Sequence, residues 1–408
     1  MRRTAFVVSV LIILMAGAAL QQVRAAEGLE LGVNGYVNVA FFYDSRQTVS
    51  AREGHFLLWP AEMQFDANQT DINATPSLNI LAVQSRLTLK ISGPSTLGAK
   101  TTGLMEGDYL GLQESDINGF RLRHAFVRLD WSQTSLLIGQ YWNPMFVTKA
   151  YPSTVGSNAG VPFQPFARNP QIRLTHTVGA FQVLAAALSQ RDYTSIGPQG
   201  GSSSYLRNAV LPDLHLHLQY DKPHVLFGAG GEYKQIKPRF MLDQGTHYNG
   251  EVSSFALLGY SKLRWRTVEW KIEGVYGENL ADLLMLGGYA VGKEYPELGR
   301  VDYVNLRTAS GWTDLSVGRE IRFGVFAGYT QNLGSAEQIH GEFYSRGANI
   351  HHVYRIAPRV QFQSGNTRFA LEAESTTAGY GTPNIYGENE DVREVSNLRI
   401  LLATYYYF

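Results

Sequence analysis

The stretch LRILLATYYYF, residues 398–408, carries the strongest indication of the fold. Side chains alternate between the two faces of a β-strand, so Leu398, Leu402 and Phe408 share a face that is apolar and aromatic throughout. The opposite face carries Arg399 and, two residues earlier, Asn397. This alternation suits a strand of a soluble β-sandwich or a strand of a membrane barrel, and the rest of the sequence has to distinguish the two folds.

The same period-two alternation recurs along the whole chain, and no segment with helical periodicity is longer than about two turns. In one segment, for example, Leu214, Leu216 and Leu218 oppose His215 and His217. The pattern predicts sixteen strands, at residues 30–42, 80–91, 98–110, 120–131, 134–142, 170–178, 180–190, 211–220, 224–236, 252–264, 267–277, 301–312, 319–331, 349–362, 367–376 and 396–408.

The connections between these strands alternate between short and long. The short connections include 92–98, 131–134, 177–180, 221–224 and 363–367, and the long ones are 43–79, 143–169, 191–210, 237–251, 278–300, 332–348 and 377–395. A soluble sandwich has no reason to sort connection lengths in this way, whereas transmembrane barrels have tight periplasmic turns and long extracellular loops.

We therefore predict an all-β fold, a transmembrane antiparallel β-barrel of about 16 strands. Closure would pair the last strand with the first and leave no sheet edge in the lipid. The aromatic terminal strand also resembles the C-terminal signature by which outer-membrane proteins are recognised for insertion. A soluble sandwich or a secreted adhesin is the alternative.

The first 25 residues have the layout of a secretory signal peptide. Arg2 and Arg3 precede an apolar run over residues 5–20, and a small-residue cleavage site ends at Ala25. A membrane anchor is the alternative, but the run is shorter than the roughly 20 residues that a spanning helix needs. Cleavage would leave residues 26–408 as a single barrel domain.

Composition narrows the class of protein. The chain has no Cys, so it forms no disulfide and has no lipoprotein attachment site. Cleavage after residue 25 would remove three Arg and no acid, so the 35 basic residues fall to 32 against 35 acidic ones, and nothing points to nucleic acid as a partner. We expect export to the outer membrane of a Gram-negative bacterium, with membrane lipid and lipopolysaccharide as surroundings.

The polar faces of the strands would point into the lumen. Opposed charges on these faces can form salt bridges that fill a closed lumen, or they can line water. Because barrels of about 16 strands leave an aqueous pore, we predict a charge-lined channel. The residues that we predict along the solute path from this pattern are Arg86, Lys90, Glu106, Asp108 and Arg173.

The segment 143–170 is the third long connection and a candidate constriction loop. It contains Lys149 and Arg168, no Asp or Glu, four aromatic residues and five prolines. Folded inward, it would place positive charge and fixed apolar surface in the pore and favour small organic anions. The alternative is an ordinary external loop that its prolines stiffen.

Five segments carry a family resemblance: SRLTLKISGP (85–94), TTGLMEGDYLG (101–111), FRLRHAFVRLDW (120–131), LLIGQYWNPMF (136–146) and ARNPQIRLTH (167–176). They resemble the DcaP-like porins of Gram-negative outer membranes, a family distantly similar to phosphate-selective porins. The resemblance implies a 16-stranded barrel, a homotrimer and diffusion of small, often anionic solutes. It also implies that Arg121, Arg123, Arg168 and Arg173 lie on the pore wall or at its constriction. The dense arginine ladder of phosphate porins is not evident here, so strict phosphate selectivity is not expected.

Strand 120–131 does not divide cleanly into a lipid face and a lumen face. Arg121 and Arg123 share a face with Val127 and Leu129 in strict alternation. A bulge or a contact between protomers would resolve this conflict.

Other chemistries are less well supported by the sequence. His215 and His217, like the adjacent His351 and His352, lack the further ligands that a metal site needs, so we predict no metal and no cofactor. No GxSxG or HExxH grouping is present, and we predict that the chain is not an enzyme, with a barrel enzyme as a minor alternative. A receptor or adhesin that acts through its extracellular loops is the main alternative to a passive porin for small hydrophilic solutes.

Overall fold

The computed structural model describes residues 28–242 and 245–408, so the predicted signal peptide lies outside the described residues. The strands in the described part of the chain are β1 Glu30–Asp44, β2 Thr48–Ala51, β3 Phe56–Pro60, β4 Ser77–Leu81, β5 Arg86–Thr96, β6 Ala99–Asp108, β7 Arg121–Asp130, β8 Thr134–Trp142, β9 Arg168–Val178, β10 Phe181–Leu188, β11 Ile196–Gly197, β12 Gly200–Gly201, β13 Asp213–Lys222, β14 Val225–Ile236, β15 Val252–Trp265, β16 Val268–Glu278, β17 Gly287–Tyr295, β18 Arg300–Gly318, β19 Ile321–Asn332, β20 Phe343–Arg346, β21 Ile350–Ser364, β22 Thr367–Pro383 and β23 Asn389–Tyr407.

Helical structure is confined to short pieces of the connections. They are the α-helix α1 Ser204–Ala209 and the 3-10 turns Ile72–Ala74, Glu114–Asp116, Ala281–Leu283 and Pro296–Leu298. Within the described ranges, none of these helices has the length and apolar character to cross a bilayer.

Sixteen of the strands form a closed antiparallel barrel, which confirms the predicted fold class. The wall consists of β1, β5–β10, β13–β16, β18, β19 and β21–β23, each paired with its neighbours along the chain. β1 closes the ring, because it pairs with β5 through Tyr36↔Arg86 and with β23 through Tyr36↔Tyr407. No edge of the wall is therefore left unpaired in the lipid.

Gly35 lies at the closing seam. Its N–H donates to the carbonyl of Phe408 at 3.1 Å, and the Phe408 N–H donates back to the Gly35 carbonyl at 3.2 Å. A Cβ at this position would lie 2.1 Å from the Arg86 carbonyl oxygen and 2.9 Å from the Phe408 ring. The approach of three strands at one point therefore requires glycine.

The barrel is apolar outside and polar inside, as the terminal strand predicts. Leu398 and Leu402 are 45% and 46% exposed on the outer surface, whereas Arg399 and Leu401 are buried on the lumen side. Exposed aromatic residues ring the outer surface near both ends, among them Phe181, Phe227, Phe323, Phe362, Phe369 and Tyr406 at one end and Tyr109, Phe120, Phe255, Tyr276 and Tyr329 at the other. An apolar band between aromatic girdles is typical of a membrane-spanning barrel.

All sixteen predicted strands overlap strands of the wall, and the connections sort by length as predicted. The turns at one end are as short as 97–98, 179–180, 223–224 and 365–366, and the two ends of the described chain meet at this same end. We call it the short-turn end and the other the long-loop end.

Several predicted boundaries are wrong. The long loop predicted at 377–395 is mostly strand, because β22 continues to Pro383 and β23 begins at Asn389. The predicted strand 301–312 continues as β18 to Gly318. In the first case the strands continue through residues without apolar alternation, which the sequence pattern does not distinguish from a loop.

Candidate pore and its inner loops

Residues 143–167, which connect β8 to β9, lie inside the barrel and contact the wall on its far side. The backbone N–H groups of Val155 and Gly156 donate to the two carboxylate oxygens of Glu372 on β22, at 2.9 and 3.0 Å. The N–H of Ser153 donates to Asp314 on β18 at 3.1 Å. We call this segment the inner loop, since its contacts with two distant strands require it to cross the lumen.

Arg355 on β21 connects the inner loop to a second loop, the connection between β1 and β4 that contains β3. It is only 1% exposed and donates to the carbonyls of Val161, Leu57 and Leu58 at 2.8, 3.0 and 3.1 Å. Its charge is balanced by Glu374, 3.2 Å away. A buried guanidinium with five donors can hold several carbonyls at once, so Arg355 fixes both loops against the wall.

Aromatic packing anchors the C-terminal part of the inner loop. Phe163 is fully buried against Phe326, and a Cβ at Gly328 would lie 2.5 Å from the Phe163 ring. The absence of a side chain at Gly328 therefore makes the space that Phe163 fills. Phe166 lies against a second inner segment, residues 279–286 between β16 and β17, because its N–H donates to the Leu283 carbonyl at 2.8 Å.

β7 contains a bulge, which is one of the two solutions that the sequence allowed. Its register with β6 shifts between Glu106, which pairs with His124, and Gly107, which pairs with Leu122. Arg123 is the extra residue, so Arg123 and His124 both lie on the lumen side and Val127 returns to the outer surface. The bulge resolves the conflict between the two faces of this strand.

Six of the nine predicted site residues meet in one cluster on this part of the wall. Arg121 contacts Asp108 at 2.7 Å, and Arg123 contacts both Asp108 and Glu106 at 2.8 Å. Arg86 approaches Glu106 at 3.6 Å. The sixth residue, Arg168, contacts an acid outside the predicted set.

That acid is Asp192, in the loop after β10. Arg168 is 1% exposed and contacts Asp192 at 2.5 Å. Burial raises the pKa of Asp192, but the neighbouring Arg168 and Arg121 more than offset this, and the pKa is lowered from its ordinary value. Asp192 is therefore ionised at neutral pH and balances Arg168, which offers no free positive charge to a solute.

Lys149 is placed differently from Arg168, although both were predicted from the same loop. Its side chain is 50% exposed and contacts Asp221 at 2.7 Å. It borders two cavities beside the inner loop, of about 610 and 530 Å³. Lys149 is thus accessible from the lumen, and its ion pair is of the exposed kind that contributes little to stability.

Arg173 and Lys90 complete the predicted set. Arg173 lies over the Tyr141 ring at 5.3 Å and donates to Gln171 at 2.8 Å. It borders a cavity of about 530 Å³ beside the inner loop. Lys90 is exposed towards the short-turn end of β5 and lines none of the three cavities.

Three cavities adjoin residues 148–154 of the inner loop, with volumes of about 610, 490 and 530 Å³. All three are bordered by Thr148. The largest, which we call the basic cavity, is lined by two acids, Asp221 and Glu269, and by seven cations: Lys149, Lys222, Lys262, Arg264, Lys271, Arg322 and Arg368. The second cavity has three arginines and no acid in its lining: Arg86, Arg123 and Arg368.

Most cations of the basic cavity were missed as site residues. Glu269 lies within 3.0 Å of Lys271 and Arg322, 2.8 Å of Arg264 and 3.6 Å of Lys262. One carboxylate therefore serves four cations. Alternation along β16 places Glu269 and Lys271 on the polar face, opposite Val268, but no sequence signal indicates which strands meet beside the inner loop.

Residues 62–235, which span β4 to β14, match the DcaP outer membrane protein family. The chain resembles these DcaP proteins, as its sequence predicted. No curated protein matches the chain.

Solved structures support the same fold. The outer membrane channel DcaP of Acinetobacter baumannii is 14% identical, with 94% of this chain and 98% of that chain covered and a TM-score of 0.71. The anion-selective porin from Comamonas acidovorans is 10% identical, with coverages of 93% and 100% and a TM-score of 0.57. OmpT of Vibrio cholerae is 9% identical, with coverages of 94% and 99% and a TM-score of 0.56. At these identities the likeness establishes the porin fold, and no enzymatic activity is named among these matches.

Proposed function

We propose that this protein is an outer-membrane porin through which small hydrophilic solutes diffuse passively, with a preference for small anions. The DcaP match and the porin fold support the channel role. The observation that carries the charge preference is the lining of the basic cavity, where seven Lys or Arg residues accompany two acids. An excess of fixed charge beside a narrow aqueous path concentrates ions of the opposite sign.

The inner loop is the proposed constriction. Its residues 148–154 border three cavities, and its backbone is held by Glu372 and Asp314 on distant strands. A solute that reaches the short-turn end would pass Lys149 and Arg368, which each border two of these cavities. We therefore place the selectivity-determining charges at these two residues and leave Arg168 out, since Asp192 neutralises it in a buried pair.

We further propose a homotrimer in the outer membrane, with lipid and lipopolysaccharide around it. The support is the resemblance to porins, among which OmpT of Vibrio cholerae is described in a trimer form. Chemical cross-linking of the protein in detergent tests the oligomeric state separately from its selectivity, and a product no larger than one chain would contradict the trimer.

Charge reversal of Lys149 and Arg368 tests the selectivity. In planar bilayers under a KCl gradient, the wild type should give a reversal potential on the anion side. The double variant Lys149→Glu, Arg368→Glu should move it towards the cation side, because four units of charge change beside the path. The matched control Lys293→Glu, Arg300→Glu changes as many charges at the long-loop rim and should shift it far less.

The same recordings distinguish the alternatives. Stable conductance with a cation-side reversal in the wild type would retain the channel and reject the anion preference. A folded, heat-modifiable barrel without conductance would reject the channel and favour a receptor or adhesin.

A further inference from the structure

Three carboxylates meet inside the barrel, away from the basic cavity. They are Asp213 at the start of β13, Glu232 on β14 and Asp282 in the inner segment between β16 and β17. One oxygen of each lies within 4.8 Å of one oxygen of the others, and all three residues are buried. We call this group the acid cluster.

The acid cluster is not neutralised by its neighbours. Lys234 forms an ion pair with Asp282 and also donates to the Asn279 carbonyl at 2.5 Å. Arg346 lies nearby, but it donates to the Ala281 carbonyl and not to a carboxylate. When all three carboxylates are ionised, one ammonium leaves two negative charges in excess, and an uncompensated buried charge is costly.

Several atoms around the cluster that can ligate a metal lack a hydrogen-bond partner among the described residues. Neither carboxylate oxygen of Asp213 has a hydrogen bond, although Asp213 is only 1% exposed. The Nδ1 atom of His215 is also unpaired and lies 3.9 Å from the Glu232 carboxylate, with the residue 4% exposed. The side-chain oxygen of Asn279, whose main chain contacts Lys234, is unpaired as well.

We propose that the acid cluster binds a divalent cation of the calcium type, with Asp213, Glu232 and Asp282 as ligands. A dication supplies the two positive charges that the cluster lacks. Calcium takes oxygen ligands at about 2.3–2.6 Å, so two ligands of one ion lie up to about 5 Å apart, which fits the separation of these oxygens. The sequence predicted no metal, because the three ligands come from distant segments with no common motif.

The cation would connect elements that position the pore. Asn143, the first residue of the inner loop, donates to Glu232 at 3.2 Å, and Gln190 donates to Asp282 at 2.9 Å. The segment that carries Asp282 continues into Leu283, Leu284, Met285 and Leu286, which are all buried. A cation at this point would therefore hold the base of the inner loop and the segment 279–286 to the wall. This proposal does not depend on the anion preference.

Calcium binding to the folded barrel tests the proposal. Protein purified in detergent and stripped with EDTA is titrated with CaCl₂ by calorimetry, and thermal unfolding is followed with and without calcium. We expect one saturable site per chain and a higher midpoint with calcium. Asp213→Asn should weaken binding at least about tenfold, whereas the exposed rim control Asp302→Asn should leave it unchanged.

Three results would overturn the proposal. The first is wild-type protein that shows no saturable site, and the second is an Asp213→Asn variant that binds as the wild type does. The third is stability that rises as pH falls and does not respond to calcium, since a proton shared between carboxyl groups would then neutralise the cluster. Both tests on the wild type remain valid if the variant does not fold.

Discussion

The two sides of the inner loop differ in how completely their charged residues are paired. On the long-loop side, buried arginines meet acids at short distances, as in Arg121 with Asp108 at 2.7 Å and Arg399 with Asp44 at 2.7 Å. On the short-turn side, the cations of the basic cavity outnumber its acids and several are exposed. The same residue types therefore hold loops in place on one side and create an electrostatic preference on the other.

The difference follows from desolvation. A charge that is withdrawn from water requires a partner at short distance, and breaking such a pair leaves the other charge uncompensated. A charge that borders a hydrated cavity keeps its water and can remain in excess. The paired side should therefore respond to substitution with lost stability, and the basic side with altered selectivity at unchanged stability.

The largest effect should follow from Arg355→Ala on the paired side. The change leaves Glu374 and three loop carbonyls without their buried donor, so we expect a loss of about 3–5 kcal/mol in the free energy of unfolding. Denaturant unfolding in detergent, followed by heat modifiability on gels, measures it. Arg300→Ala, which removes an exposed ion pair with Asp302, should cause no measurable change.

A stability of Arg355→Ala close to that of the wild type would contradict the stated difference between the two sides of the inner loop. It would mean that the loops keep their position without this guanidinium, and that buried pairing on this side does not hold them.

A smaller effect should follow from Glu372→Gln. This variant replaces one of the two acceptors that bind the N–H groups of Val155 and Gly156, so the inner loop loses part of its anchor. We expect larger and noisier single-channel conductance with the reversal potential little changed. Glu394→Gln, which alters a half-exposed acid paired with His352, is the matched control. Unchanged conductance in Glu372→Gln would contradict a constricting role for this loop.

The sequence predicted the fold more fully than the site, for a physical reason. Alternation along a strand is local, so LRILLATYYYF and fifteen further segments could be assigned to the wall from neighbouring residues alone. The partner of a charge is not local. Asp192 lies 24 positions from Arg168, and Glu372 lies 217 positions from Val155.

The bulge in β7 depends on both the local alternation along the strand and its non-local pairing with β6. The sequence exposed a conflict around Arg121 and Arg123, and a bulge was one of the two solutions that it allowed. The register shift beside Glu106 gives the solution, because it depends on the pairing with β6. The roles of all nine predicted residues in the solute path remain predictions.

The smallest expected effect concerns Lys222, which lines the basic cavity at the turn between β13 and β14 and has no ion pair with a described residue. Lys222→Gln should shift the reversal potential slightly towards the cation side at low salt. The shift should vanish as ionic strength rises from about 0.1 M to 1 M, because the screening length falls from about 10 Å to about 3 Å. Arg266→Gln removes a cation at the same end, beside Trp265 and outside the cavity lining, and should give no shift. Equal shifts in both variants would show that selectivity reflects the overall charge of the short-turn end and not the lining of the basic cavity.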